Sequence, residues 1–224
     1  MIRSVLVLIA SLFLTGTTMA YEEPKYQLLL TADDIELRRY EPMLIAEVFV
    51  DGDMDDASSK GFRLIANYIF GNNQAADKSD SEKIAMTTPV TIEPQAEKIA
   101  MTAPVTVEPD SRDASMQTST AWRVSFVMPS QYTLASIPKP NNSAVSLREV
   151  PAKYFVVLRY SGFNNLAKIQ TLTDQVLAWS TANGFKVSGI PQLSRYDPPW
   201  TLPMFRRNEI MVEIVQPEPK QLIR

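Results

Sequence analysis

Residues 82–109 carry one thirteen-residue pattern twice, Glu82-Lys-Ile-Ala-Met-Thr-Thr-Pro-Val-Thr-Ile-Glu-Pro94 and Glu97-Lys-Ile-Ala-Met-Thr-Ala-Pro-Val-Thr-Val-Glu-Pro109. The copies are offset by 15 residues and differ only at Thr88/Ala103 and Ile92/Val107. Ile84, Met86, Val90 and Ile92 alternate with Ala85, Thr87, Thr91 and Glu93. Period-two alternation with β-branched residues restricts such a segment to a half-buried strand. Pro89 and Pro104 cannot donate to a ladder, so an edge or bent strand is expected. Two strands joined through residues 93–98 would form a hairpin. It would set Met86 and Met101 either over an apolar ligand surface or in the core.

Composition narrows the chemistry. The chain has no cysteine and no histidine, which removes disulfides, thiolate nucleophiles, the usual general base, and the usual zinc and haem ligands. A net charge of −3 and a pI near 5.2 leave no concentrated basic surface for nucleic acid. Arg3, the apolar run Val5–Leu14 and the small residues before Tyr21 read as a signal peptide over residues 1–20. The run is short for a bilayer span. The expectation is an exported, periplasmic protein with no stable membrane span after cleavage.

The remaining chain repeats one plan. Ile35–Val50 reads as two β segments around a turn at Glu41-Pro42, and Phe62, Ile65, Ala66 and Ile69 mark a helix over 57–70 ended by Gly71. A strand at 122–128 follows the tandem pattern. After a Pro/Asn/Ser-rich joint at 136–143, Val145–Leu158 gives two more β segments around Pro151. Leu166, Ile169, Thr173, Val176 and Leu177 then mark a helix opened by Asn164 or Asn165 and stopped at Asn183-Gly184, and 192–196 and 208–215 read as strands. This is β-β-α-β-β twice over, an α+β fold of antiparallel hairpins in one domain, 26–215, with pseudo-repeats near 31–128 and 145–215 and a loose tail at 216–224.

No catalytic constellation emerges. The chain has seven glycines and no phosphate-binding loop. Asp33-Asp34 and Asp55-Asp56 suit turns and helix caps, and Asp51–Asp56 lacks the twelve-residue calcium pattern. A binding protein is expected rather than an enzyme, with no metal site. The one polar-aromatic segment is Arg195-Tyr-Asp-Pro-Pro-Trp-Thr-Leu-Pro-Met-Phe-Arg-Arg-Asn-Glu-Ile210. Tyr196, Trp200, Met204 and Phe205 beside Arg206-Arg207 suit a flat, apolar, anionic ligand such as a porphyrin. The same residues also suit a loop packed as a lid, with Arg207 paired to Glu209 or Asp197.

Lys98-Ile-Ala-Met-Thr-Ala-Pro-Val105, Arg195-Tyr-Asp-Pro-Pro-Trp200 and Arg206-Arg-Asn-Glu-Ile210, in that order, resemble the SOUL family of haem-binding proteins over nearly all of 26–215. The resemblance implies duplicated βαββ-type units forming a distorted antiparallel eight-stranded β-barrel flanked by two helices, similar to the effector-binding domains of transcription regulators. It also implies non-covalent binding of haem or another tetrapyrrole in a hydrophobic surface groove beside the first helix. By position that points to Phe62, Arg63, Ile65, Ala66 and Ile69 on the helix, Met101 in the repeat, and Tyr196, Trp200, Met204 and Arg206 in the proline-rich loop. Positions expected to be basic are here Ser59, Asn67 and Thr201, with Lys60, Arg63 and Arg206 as the nearest replacements. Any iron ligand would be Met, Tyr or Lys, or the haem would sit without strong protein ligation. The alternatives are another apolar small molecule or lipid at the cell envelope, or slow chemistry on a bound tetrapyrrole.

Overall fold

The computed structural model of the chain describes residues 21–75, 80–94, 116, 119–198 and 200–221. Its strands in chain order are β1 (Tyr26–Ala32), β2 (Ile35–Tyr40), β3 (Met43–Asp51), β4 (Asn73–Gln74), β5 (Val90–Pro94), β6 (Ala121–Val127), β7 (Lys139–Pro140), β8 (Ser146–Val150), β9 (Lys153–Tyr160), β10 (Gln192–Arg195) and β11 (Asn208–Ile214). Helix α1 (Met54–Ile69) follows β3, and α2 (Leu166–Ala182) follows β9. Nine strands form one curled antiparallel sheet in the order β1-β2-β9-β11-β10-β5-β6-β3-β8, and β4 pairs with β7 apart from it.

Without β1 this order is a palindrome of the two repeats, with β5 and β10 meeting at its centre. The registers Ile92–Leu193, Ile92–Val124 and Leu193–Ile210 make Val124 and Ile210 counterparts. Each repeat lends its first strand to the other: β2 pairs with β9, and β8 pairs with β3. The expected hairpins around Glu41-Pro42 and Pro151 therefore do not form. Alternation tells which face of a strand is buried, not which strand lies beside it.

The α+β plan with two helices agrees with the sequence reading. The sheet has one strand more than the eight expected and curls into a half-barrel with β1 and β8 at its edges. The added strand, β1, turns into β2 through Asp33 at φ 51°; the Asp33-Asp34 pair is a turn, as expected. The tandem segment is the larger correction. Only Val90–Pro94 of the first copy is a strand, and both of its edges are taken, by β10 and β6. It is central rather than an edge, and Pro89 sits just outside the ladder. Ile84 is buried and donates its N–H to the Ile69 carbonyl at 2.9 Å. The second copy, with Met101, lies outside the described residues, as do residues 1–20.

Asp53 caps α1 by accepting from the Asp55 and Asp56 N–H groups at 3.0 and 2.9 Å, with two acids in the first turn where the dipole favours them. Its buried stripe, Ala57, Gly61, Ile65, Tyr68 and Ile69, faces β3 and β6. Asn165 caps α2, whose Ile169, Thr173 and Val176 face β9 and β11. Both helices cover the same side, closing a core around Val124, Phe126, Val156, Ile210 and Val212. The tail carries a 3₁₀ turn at Pro219–Gln221, and Gln221 donates to the Gly184 carbonyl at 2.7 Å.

On the opposite side a buried ion cluster joins β2 to β11. Arg38 Nη1 and Nη2 donate to the two oxygens of Glu209 at 2.9 and 3.2 Å, and Tyr196 Oη donates to Oε2 at 2.7 Å. Arg207 Nε reaches Oε1 at 3.0 Å. Burial alone would raise the Glu209 carboxyl pKa, but the two guanidinium groups and the phenol hold it below the ordinary range.

Two outcomes test this packing. A Cβ on Gly61 would lie 2.6 Å from Val124 Cβ and Cγ2, so Gly61→Ala is expected to lower stability by roughly 1–2 kcal/mol in urea denaturation, overpacking outweighing alanine's better helix propensity. Glu209→Gln removes the anion from two arginines and is expected to cost about 3–5 kcal/mol at pH 7. Because the folded Glu209 pKa is depressed, its contribution is full above the unfolded value of about 4.3 and is lost as pH falls through the folded value. The gap between wild type and variant should therefore narrow on acidification; a constant gap from pH 7 to pH 3 would refute this linkage.

Candidate functional site

The proline-rich loop leaves the sheet at Arg195 and returns at Asn208, beside the start of α1. Arg195 fixes that proximity: Nη1 donates to Ser58 Oγ at 3.3 Å and Nη2 to Asp55 Oδ1 at 3.4 Å. Tyr196 is buried, its N–H donates to the Arg207 carbonyl at 3.1 Å, and the Arg207 guanidinium lies 3.7 Å from its ring centre. The Arg207 N–H in turn donates to Asp197 Oδ2 at 2.6 Å. The base of the loop is thus the lid-like packing that the sequence allows, with Arg207 on both Glu209 and Asp197. Burial and the Glu209 charge push the Tyr196 phenol far above its ordinary pKa, so it stays a neutral donor.

The tip differs. Pro203–Phe205 forms a 3₁₀ turn, Phe205 N–H donates to the Leu202 carbonyl at 2.9 Å, and Arg206 Nε donates to the Thr201 carbonyl at 2.7 Å. The Gly162 N–H donates to the Pro203 carbonyl at 2.8 Å, tying the tip to the β9–α2 connection. The side chains held there face solvent: Trp200 is 80% exposed, Phe205 70%, Met204 67% and Phe163 66%, with Leu202 and Leu166 also exposed. So many large apolar groups on neighbouring turns are unusual for a surface that binds nothing. Lys168, whose Nζ donates to the Ser161 carbonyl at 2.7 Å and lies 4.9 Å from the Tyr160 ring centre, adds a cation at the edge.

The residues singled out by sequence divide into three groups. Trp200, Met204 and Arg206 share the tip. Phe62 and Arg63 are exposed on α1, with the Phe62 ring tilted 5.6 Å from Phe126. Ile65, Ala66 and Ile69 lie on the buried stripe of α1, out of reach of a surface ligand, and Tyr196 serves the ion cluster. Phe163, Leu166 and Leu202 were not singled out. Phe163 and Leu166 flank a helix cap, and nothing local in the sequence shows that Gly162 meets Pro203. Among the described residues, no group of three His, Cys, Asp or Glu could hold a metal ion, and no helix is long and apolar enough to cross a membrane.

Solved structures share this architecture at low identity. The crystal structure of the EcmrR C-terminal domain matches with a TM-score of 0.55 at 12% identity, covering 85% of this chain and 98% of that one. A cryo-EM structure of EcmrR with DNA matches at 0.55 and 11%, covering 84% of this chain and 57% of that one. A Listeria innocua protein described as a hydrolase matches at 0.52 and 10%, covering 81% and 92%. These likenesses speak for the fold alone. No curated protein matches the chain in sequence. The family model for SOUL heme-binding proteins, however, matches residues 21–213, the whole of the sheet but the last residue of β11, both helices and the loop just described; the chain belongs to the SOUL heme-binding protein family.

Proposed function

We propose that the chain binds haem or a related tetrapyrrole non-covalently on the apolar tip of the proline-rich loop and the adjoining start of α1, as an exported carrier or buffer. The observation that carries this reading is the rigid display of Trp200, Met204 and Phe205 to solvent. Prolines and backbone hydrogen bonds fix the loop beforehand, so little ordering entropy is lost on binding. A macrocycle face would cover the aromatic and thioether surface, and Lys168 and Arg206 at the tip, with Arg63 on α1, would meet its propionates. The residues fit the macrocycle and its carboxylates. For the iron the chain offers no histidine or cysteine; Met204 is the exposed soft ligand at the tip. When bound, the haem supplies its own absorption and redox chemistry, while the protein binds it and shields one face.

The cavity on the helix-free side of the sheet does not compete for this role. Its volume is about 100 Å³, against roughly 300 Å³ or more for pockets that enclose drug-sized ligands. A binding rather than catalytic role is supported by the commitment of Glu209 and Tyr196 to ion and hydrogen bonds inside the protein. The exposure of the tip also suits a lipid or another apolar molecule at the envelope, which is the second reading.

Haemin titration separates them. A shifted Soret band at micromolar haemin is expected, together with quenching of Trp200, the exposed tryptophan; Trp122 is buried. The double variant Trp200→Ala, Phe205→Ala should weaken binding about tenfold or more, the equivalent of ~1.4 kcal/mol, without changing the melting temperature. Absence of a shift with folded protein, or co-sedimentation with lipid vesicles that haemin does not displace, would reject the tetrapyrrole reading. Arg63→Gln is expected to raise the Kd only a few-fold, an exposed charge being worth ~1 kcal/mol or less, with the effect shrinking at high salt.

A further inference from the structure

The side of the sheet turned away from the helices holds a cleft at the junction of the two repeats. Its floor is the β5–β10 seam, where Thr91 Oγ1 and Ser194 Oγ share a hydrogen bond at 3.1 Å. Tyr40, Phe155 and Met211, part of a small apolar cluster separate from the main core, wall one side, and Ile45 lines the other. The segment before β1 closes one end. Pro24 lines the cleft, Glu22 bridges to Thr87, and Glu23 pairs with Arg207 at 2.9 Å.

The charges of this cleft are layered. Glu47 and Glu93 are buried, and Arg123 and Arg148 are laid over them. Arg148 Nε and Nη2 donate to the two oxygens of Glu47 at 3.1 and 3.0 Å, and Arg123 pairs with Glu93. Lys153 Nζ pairs with Glu213 at 2.6 Å. The cation side chains are 31–41% exposed, whereas Glu47 and Glu93 are 8–9% exposed. The cleft thus offers a ligand the outer faces of three paired cations; Glu47 lies beneath Arg148, Glu93 also lines the cleft, and Glu213 is 22% exposed beside Lys153. A guanidinium has five N–H donors, and one carboxylate takes two of them, so Arg148 can serve a second anion without releasing Glu47. Burial presses the Arg123 pKa down, with Arg148 adding to it and Glu47 and Glu213 opposing.

We infer that this cleft is a binding site for a small organic carboxylate, its apolar ring or chain against Phe155 and Met211 and its carboxylate on Arg123, Arg148 and Lys153. A cationic ligand would meet three like charges, and a neutral one would gain less from the guanidinium N–H donors that the internal carboxylates leave free. The cavity of about 100 Å³ sets the size at that of one ring or a short chain, well below the ~300 Å³ of drug-sized pockets. The site lies on the opposite side of the sheet from both helices. It stands independently of the tetrapyrrole reading.

Benzoate, benzamide and benzylamine have the same ring and differ in charge, so calorimetric titration of the purified protein with each tests the inference. Benzoate should bind at least tenfold more tightly than benzamide, and benzylamine should not bind. Lys153→Met should weaken benzoate several-fold and leave the buried Arg148–Glu47 pair intact. Ser125→Trp should fill the cleft and abolish benzoate binding. Thermal melts identify which variants are folded, and haemin titration of both should match wild type. Equal affinity for benzoate and benzamide would overturn the inference, as would benzoate binding that survives both substitutions in folded protein. Loss of haemin binding in folded Ser125→Trp would overturn the separateness of the two sites.

Discussion

Three residue pairs hold the two halves of this molecule together at its centre: Val90–Arg195, Thr91–Ser194 and Ile92–Leu193. Further out each half completes the other, because β2 lies on β9 and β8 lies on β3. Neither repeat can satisfy its own backbone alone, since an unpaired ladder in the core of a sheet is costly. The core follows from that exchange. Both helices cover one side, Val124 and Ile210 face them as counterparts, and the close approach at Gly61 sets how near α1 can lie to β6. The long sequence separation of these pairings also predicts slower folding than a helical chain of this size.

The two sides of the sheet carry different kinds of surface. On the helix side the burial is apolar and continuous. The other side is charged, and its acids are covered by cations rather than by water. Arg38 and Arg148 occupy equivalent positions in the two repeats by strand register, and each holds a carboxylate, Glu209 and Glu47 respectively. The acids themselves sit on non-equivalent strands, β11 and β3. The duplication thus kept the cation and moved its partner, and of the two arginines Arg38 is buried while Arg148 is partly exposed.

Much of the element list was legible in the residues. Phe62, Ile65, Ala66 and Ile69, followed by Gly71, marked α1 to within a few residues, and Asn164 or Asn165 with Asn183-Gly184 bracketed α2, because helical stripes and caps are local signals. Strand pairing was not legible. The alternation in Ile35–Val50 is real, yet β2 and β3 lie at opposite ends of the sheet, and a period of two says nothing about neighbours. The tandem segment misled in the same way: repetition suggested two adjacent strands, whereas β5 is flanked by β6 and β10. For the site, composition identified the loop, since Trp, Met and Phe between prolines have no core-like period. The helix residues were confused because one stripe was read as both groove and core. Phe163 and Leu166 join the tip only through a backbone contact between distant segments.

Arg207 has a mechanical consequence. One side chain bonds to a carboxylate buried in the sheet, stacks on the tyrosine at the root of the loop and reaches the segment before β1. Any force applied to the tip is therefore passed to the strand ladder and not absorbed by a hinge. The loop and the β10–β11 pair should move as one stiff lever about the seam. A load on the tip would then be felt first as a change in sheet curvature, at the floor of the cleft on the other side.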